Sequence, residues 1–295
     1  MNSFGRILTA MVTPFHDNGS VNYEAASQLA QYLVSNGSDG LVVAGSTGEA
    51  ATMTKQEKIE LFKTVLAAVG DKATVIAGTG TNDTQSTIDM TQAAEAVGVH
   101  GALVVGPYYN KPPQEGFYQH FKAVANATTL PIVIYNVPGR TASNILPSTI
   151  IRLSEIKNIV AVKESSGNLD QFAEVVSNTP EDFLVYSGDD SLALPGLAVG
   201  AHGVISVAAH IAGKPMQSMI QSFLAGDTKR AAKLHQALLA IYKGLFITTN
   251  PIPVKTAVSM LGLAVGPLRL PLIAATEQER LQIAATVKLA QSLSL

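Results

Sequence analysis

Cysteine is absent from this 295-residue chain, which excludes disulfides, thiolate metal sites and a cysteine nucleophile. Charge is scarce as well. Asp, Glu, Lys and Arg make up 14% of residues, against about a quarter in ordinary soluble domains. There is no surplus of either sign: the formal net charge is −2 and the pI about 6.3. Such a balance offers no basic face to nucleic acid or anionic lipid, and neither partner is expected. A long unbroken apolar stretch is also missing. Residues 191–213 contain no Asp, Glu, Lys or Arg, yet Pro195, four glycines, His202 and His210 interrupt them. A short helix and a strand are expected there rather than a membrane span. The N-terminal MNSFGRILTAMVTPF has one Arg6 and carries Pro14 inside its apolar run, with no small-residue cleavage site after it. It reads as a strand, not a signal peptide, and a soluble, cytoplasmic protein is expected.

What the chain does have is a repeat. Short β-branched runs start near Ile7, Gly40, Ala73, Gly101, Pro131, Ile159, Phe183 and Gly203, at intervals of 33, 33, 28, 30, 28, 24 and 20 residues. Those intervals suit βα units. Helical spacing fills the gaps. In VNYEAASQLAQYLVSNG, Ala25, Leu29, Tyr32 and Leu33 share a face and Gly37 marks the stop. TKQEKIELFKTVLAAVG opens with Thr54 and Glu57 at capping-box spacing and stops at Gly70. Eight strands alternating with helices predict a (β/α)8 TIM barrel over residues 1–225, with an open doubly wound sheet as the alternative. After Gly226 the strand signal ends. Helices are predicted over 227–247, 252–262 and 276–293, a C-terminal helical domain spanning 226–295, jointed by NPIP and GPLRLP.

In such barrels the reactive groups sit at the C-terminal ends of the strands, and the chemistry-bearing residues collect there. GLVVAGSTGEA ends in Ser46, Thr47 and Glu49, and GALVVGPYYNKP in Tyr108, Tyr109 and Asn110. PIVIYNVPGRT carries Tyr135 and then Arg140, NIVAVKESSGN reaches Lys163, and FLVYSGDD runs to Gly188. Strand alternation puts Ile159, Ala161 and Lys163 on one face and Val160, Val162 and Glu164 on the other. If the first face is inward, Lys163 sits in a mostly apolar enclosure. An amine taken out of water leans toward its neutral form, which attacks carbonyls. The ordinary alternative for a strand-end lysine is an ion pair, here with Glu164 or Asp189. Convergence on one rim favours the nucleophile. Tyr135, one strand over, is placed to pass protons, Ser46 and Tyr109 extend its hydroxyl into a relay, and the Ser46 and Thr47 amides suit a carboxylate. Arg140 offers a second carboxylate a bidentate fork. Rival chemistries fit less well. The six histidines lack ligand spacing, so a lyase using a metal on His16, His210 and Asp189 or Asp190 is disfavoured. GTGTND lacks the third glycine of a dinucleotide loop, and GSTGEA lacks the lysine of a P-loop.

In order and spacing, GSTGE, PYYNKP, YNVPGRT, VKESSGN, SGDD, GVISV and NPIPVK resemble the dihydrodipicolinate synthase family of pyruvate-dependent Schiff-base aldolases. The resemblance runs over essentially the whole chain. It implies a lyase that condenses pyruvate with L-aspartate-4-semialdehyde to give 4-hydroxy-tetrahydrodipicolinate, on the way to lysine and diaminopimelate. On that resemblance Lys163 forms the imine, Tyr135 is the general acid/base, and Ser46 with Tyr109 is the relay to solvent. Thr47 and Ile205 hold pyruvate, Gly188 lines the site and Arg140 meets the carboxylate of the aldehyde. No metal or cofactor is implied, because the imine is the electron sink. In relatives the tyrosine at the Tyr109 position crosses a tight dimer interface, implying a homodimer or a dimer of dimers. Two departures stand out. Ser46 replaces the threonine usual in these synthases and resembles the N-acetylneuraminate lyase branch, the alternative function; the arginine of YNVPGRT resembles the synthases. Asn82 and Tyr108 match the lysine effector site of inhibited relatives, but Lys55, Lys58 and Ser86 replace its histidines and glutamate. Two added cations and a lost carboxylate repel a cationic effector, so lysine inhibition is expected to be weak or absent.

Overall fold

The computed structural model describes residues 4–293. Residues 1–3 and 294–295, the outer ends of the two expected segments, lie outside the described residues. Eight strands form one closed sheet: β1 (Ile7–Ala10), β2 (Gly40–Val43), β3 (Thr74–Gly78), β4 (Gly101–Val105), β5 (Ile132–Asn136), β6 (Ile159–Glu164), β7 (Leu184–Ser187) and β8 (Gly203–Ser206). Each pairs in parallel with its neighbours in sequence, and β1 pairs with β8 to close the barrel. Every strand starts within a residue of its predicted position. The reason is physical: strands buried on both faces must be continuous apolar runs, and nothing else in the chain looks like that.

Helices follow each strand. They are α1 (Tyr23–Ser35), α2 (Lys55–Val69), α3 (Thr84–Val97), α4 (Gln114–Asn126), α5 (Pro138–Thr141), α6 (Pro147–Ser154), α7 (Leu169–Asn178), α8 (Ala193–Ala198) and α9 (Ala209–Leu224). Their ends are set locally. Asn22 caps α1 through the amide of Ala25, and Asp83 caps α3 through that of Ser86. Thr54 and Glu57 form the predicted reciprocal capping box at α2. Three further helices, α10 (Thr228–Gly244), α11 (Ile252–Met260) and α12 (Glu277–Leu293), pack on one another and on α9. Among the described residues no helix is long and apolar enough to cross a membrane.

Two apolar clusters hold the barrel. One lies between sheet and helices, where Val43, Phe62, Val104, Phe121 and Ile134 are fully or almost fully buried. The other fills the barrel interior with Leu8, Val42, Ile76, Leu103, Val133, Ala161 and Ile205. Each fully buried Leu, Ile or Val contributes about 1.5–3 kcal/mol. The N-terminal end is closed by Phe4 and by Tyr186, whose hydroxyl donates to the Gly5 carbonyl at 2.9 Å.

One strand departs from simple alternation. Ile132 of β5 pairs with Ile159, but the next residue, Val133, pairs with Ala161. Val160 is therefore the extra residue of a bulge. It joins the interior cluster while Ile159 joins the outer one. The expected inward position of Ile159 is thus corrected. From Ala161 onward the alternation resumes in phase, and Lys163 keeps the inward face.

Candidate active site

The interior layer ends at Tyr135 and Lys163. These two are registered partners on adjacent strands, so their Cβ atoms rise side by side at the C-terminal rim. The Lys163 residue is 5% exposed, and its Nζ stands 4.3 Å from the centroid of the Tyr135 ring. Among the described residues it makes no hydrogen bond or ion pair. Glu164 points the other way. Its carboxylate accepts from Asn136 Nδ2 at 3.0 Å, Gln171 Nε2 at 3.1 Å and the Ser166 amide at 2.6 Å. An ion pair with the adjacent carboxylate, the ordinary alternative for this lysine, is not formed.

A cavity of about 460 Å³ opens above these two residues. Ser46, in the turn after β2, is exposed on its wall. Thr47, next to it, is buried and its Oγ1 accepts from Asn250 Nδ2 at 2.9 Å. Arg140, in α5, donates through Nη2 to the Asn250 carbonyl at 3.2 Å and leaves the rest of its fork on the cavity wall. Gly188, after β7, lies flush against the lysine: a Cβ there would stand 2.9 Å from Lys163 Cε and in hard contact with Ser165 Oγ. Ile205 is placed differently. It is fully buried in the interior layer of β8, and the nearby residue that reaches the cavity is Val207.

Tyr109 is not brought to this cavity by its own chain. It is 87% exposed, in a left-handed backbone conformation with φ of 74°. Asn110 fixes that loop, its Nδ2 donating to the Asn82 carbonyl at 2.7 Å. A second cavity of about 390 Å³ shares Ser46, Tyr135, Arg140 and Asn250 with the first and continues to Tyr108 and Lys58. Burial draws the Lys58 ammonium below the usual lysine range. His210, one residue of the disfavoured metal set, is fully buried. Its Nε2 accepts from the Val12 amide at 3.1 Å and its Nδ1 bonds the Val207 carbonyl at 2.8 Å.

Several wall residues escaped the sequence reading. Phe246, Thr248, Thr249 and Asn250 reach the cavity from between α10 and α11, a contact across some 200 residues of chain that no local pattern announces. The only signal was the Asn-Pro joint. Asp189 also lines the cavity. Burial raises its carboxyl above the ordinary range, and nearby Lys163 opposes that. Behind this wall lies a buried ion pair, Lys255 Nζ to Glu49 Oε1 at 2.8 Å, with side chains 2% and 0% exposed.

Comparison with known proteins gives a consistent result. A family model described as the dihydrodipicolinate synthetase family matches residues 3–290. The chain is 59% identical to a 4-hydroxy-tetrahydrodipicolinate synthase of Moorella thermoacetica, over 97% of this chain and 98% of that one. It superposes on a dihydrodipicolinate synthase of Bacillus anthracis with a TM-score of 0.96 at 50% identity, covering 98% and 99% of the two chains. A synthase of Cyanidioschyzon merolae, solved with lysine bound, gives a TM-score of 0.96 at 47% identity over 98% of each.

Proposed function

Since the chain belongs to the dihydrodipicolinate synthetase family, we propose that Lys163 is the imine-forming nucleophile of its reaction. The enzyme is a lyase that makes 4-hydroxy-tetrahydrodipicolinate from pyruvate and L-aspartate-4-semialdehyde, in lysine and diaminopimelate biosynthesis. The synthase relatives favour this over the sugar-acid lyase reading. What carries the assignment of Lys163 is its position: an unpaired amine, almost fully buried, beside a phenol in a cavity.

The amine attacks C2 of pyruvate. Tyr135 hands a proton to the departing hydroxyl of the carbinolamine, water leaves and the imine forms. Loss of a C3 proton then gives an enamine, whose carbon attacks the aldehyde. Thr47, held by Asn250, presents its amide and hydroxyl to the pyruvate carboxylate. Arg140, tied on one side to the Asn250 carbonyl, meets the carboxylate of the aldehyde with its free donors. Gly188 leaves the room that the lysine side chain occupies, and Ile205 supports the pyruvate site from the layer beneath. Ser46 links Tyr135 toward solvent.

The relay needs Tyr109 from elsewhere. A tyrosine ring that is 87% exposed on strained backbone has no use within its own chain. We place it in the site of a second copy, which makes a homodimer, or a dimer of dimers, the working unit in the cytoplasm. No cofactor is called for by this chemistry, since the imine itself takes up the electrons.

The test is borohydride trapping. Pyruvate plus borohydride should leave a reduced adduct on the Lys163 peptide, and Lys163→Ala and Lys163→Arg should leave none, because guanidinium stays protonated. An adduct that persists in Lys163→Ala would remove the assignment. Purified protein should also consume pyruvate with the semialdehyde and not with N-acetylmannosamine or glyceraldehyde.

A further inference from the structure

The catalytic cavity holds one carboxylate that this chemistry leaves idle. SGDD places two aspartates after β7, and the structure separates their roles. Asp190 is buried and saturated: its carboxylate accepts from the Ser206 hydroxyl and from the amides of Val207 at 3.2 Å and Ala208 at 2.9 Å. It ties the loop after β7 to the loop after β8. Asp189 has its main chain fixed through Ser187, whose Oγ accepts from the Asp189 amide at 3.2 Å and donates to the Asp189 carbonyl at 2.9 Å. Its carboxylate has no hydrogen bond or ion pair among the described residues, although it lines the same cavity as Lys163.

A carboxylate withdrawn from bulk water is costly unless it has a partner. The other rim carboxylates all have theirs: Glu49 in Lys255, Glu164 in Asn136 and Gln171, Asp190 in Ser206. Asp189 is the exception. Two residues of the same lining, Ser165 and Asn250, each carry a buried oxygen, Oγ and Oδ1, without a hydrogen-bond partner. Ser165 Oγ lies directly against Gly188, the neighbour of Asp189. The amino aldehyde carries two charges, a carboxylate and an α-ammonium. Arg140 answers the first. An ammonium has three N–H donors and no acceptor, and Asp189 is the carboxylate of this cavity lining that no donor answers among the described residues.

We propose that Asp189 binds the α-ammonium of the amino aldehyde and, once the carbon–carbon bond has formed, takes its proton so that the freed amine closes the ring. In that step the ammonium gives one proton to the Asp189 carboxylate. The nitrogen lone pair then forms the bond to the pyruvate-derived C2, and the iminium π pair moves onto Lys163 Nζ. A proton shifts from the substrate nitrogen to Nζ. The Nζ–C2 bond breaks with its electron pair remaining on the lysine, and C2 becomes doubly bonded to the substrate nitrogen. Asp189 thereby separates amino aldehydes from aldehydes that lack the amine, and lets ring closure release the enzyme. This inference rests on the reading of Lys163 and its substrates given above.

The test compares wild type with Asp189→Asn on two aldehydes, L-aspartate-4-semialdehyde and its des-amino analogue succinate semialdehyde. Borohydride trapping of pyruvate on Lys163 serves as the control for a folded site and should be unchanged in the variant. With succinate semialdehyde both proteins should form the condensed, trappable adduct at rates within about twofold. With the amino aldehyde the variant should lose about tenfold to a hundredfold in kcat/KM, the range for deleting one charged hydrogen bond. It should also accumulate the condensed open-chain adduct on Lys163, which the wild type releases. Equal losses with both aldehydes, or no loss with either, would overturn the proposal. Wild-type protein that traps no pyruvate would overturn the underlying reading instead, and this one with it.

Discussion

Replacing Lys255 by methionine isolates the contribution of the C-terminal helices to the site. The side chain keeps its length and apolar stem but loses the ammonium, which bonds Glu49 at 2.8 Å and the Pro267 carbonyl at 2.7 Å and stands 4.2 Å from the Phe15 ring. Glu49 would retain one donor, the Arg269 amide at 2.8 Å on its other oxygen, and would otherwise be a bare charge in a fully buried position. Breaking a buried pair from one side costs about 3–5 kcal/mol. The carbonyl stripped of its donor adds about 1 kcal/mol. For a chain of this size each kcal/mol lowers Tm by about 2–4 °C, so thermal melts at neutral pH should show a fall of about 10 °C or more. Pairing the change with Glu49→Gln should recover most of that loss, because a neutral amide leaves no uncompensated charge. Glu49 is two residues from Thr47 and Lys255 five from Asn250, so KM for pyruvate should rise in the single variant as well. A Lys255→Met protein melting within about 2 °C of wild type, or a double variant less stable than the single, would refute the reasoning.

Four other outcomes follow from the same geometry. Gly188→Ala puts a methyl against Ser165 Oγ and Lys163 Cε, so pyruvate trapping should fall about a hundredfold with Tm little changed; trapping at the wild-type rate would contradict the packing. Burial holds His210 at a pKa of about 4 against the ordinary 6.5. The unfolded chain therefore binds a proton below about pH 6.5 that the folded one refuses until about pH 4, and stability is lost as pH falls through that window. About 2 kcal/mol should be gone by about pH 5 from His210 alone, with His120 and His202 acting in the same direction; a urea midpoint unchanged between neutral pH and there would contradict this. Tyr109→Phe and Lys163→Ala chains should each be impaired alone, yet regain activity when mixed, since one composite site then holds both native residues; no recovery in verified mixed oligomers would remove the exchange. Lysine at low millimolar concentration should leave turnover unchanged, because Lys55, Lys58 and Ser86 stand where the resemblance implies histidines and a glutamate, and two added cations with a lost carboxylate repel a cationic effector; marked inhibition would overturn that.

Sequence alone carried most of the architecture because a parallel barrel is strongly patterned. Its strands are uniform apolar runs, several of its helices carry side-chain caps, and Thr54 with Glu57 could be named in advance. The Val160 bulge was not legible. Val and Ile serve equally well inside or outside the barrel, so nothing in NIVAVK marks which residue is extra. The placement of Lys163 survived because the bulge falls before Ala161. Strand-end residues such as Ser46, Tyr135 and Arg140 were legible through the rule that the rim carries the chemistry. Asn250 and Lys255 were not, since their partners Thr47 and Glu49 are more than 200 residues away. Tyr109 shows a different limit. Its position just after β4 pointed to the site, while its own chain sends the ring into solvent.

Backbone strain reinforces the location of the site independently of any side-chain chemistry. Among the described residues five non-glycines have positive φ: Ala44, Glu49, Tyr109, Lys111 and Ala142. All five lie on loops leaving the C-terminal ends of β2, β4 and β5, and the barrel's opposite end has none. Such conformations cost about 1–3 kcal/mol each and persist only where surrounding contacts over-determine them. Together they rival the net stability of an ordinary domain, about 5–15 kcal/mol. The contacts that oppose the strain at Glu49 are the buried pair with Lys255 and the Arg269 amide. Arg269 is itself anchored to Glu57, to the Gly19 carbonyl at 2.8 Å and to the Thr52 carbonyl at 2.9 Å. The C-terminal segment thus clamps the strained rim at Glu49. Thr47, between Ala44 and Glu49 and bonded to Asn250, is the pocket residue that clamp holds most directly.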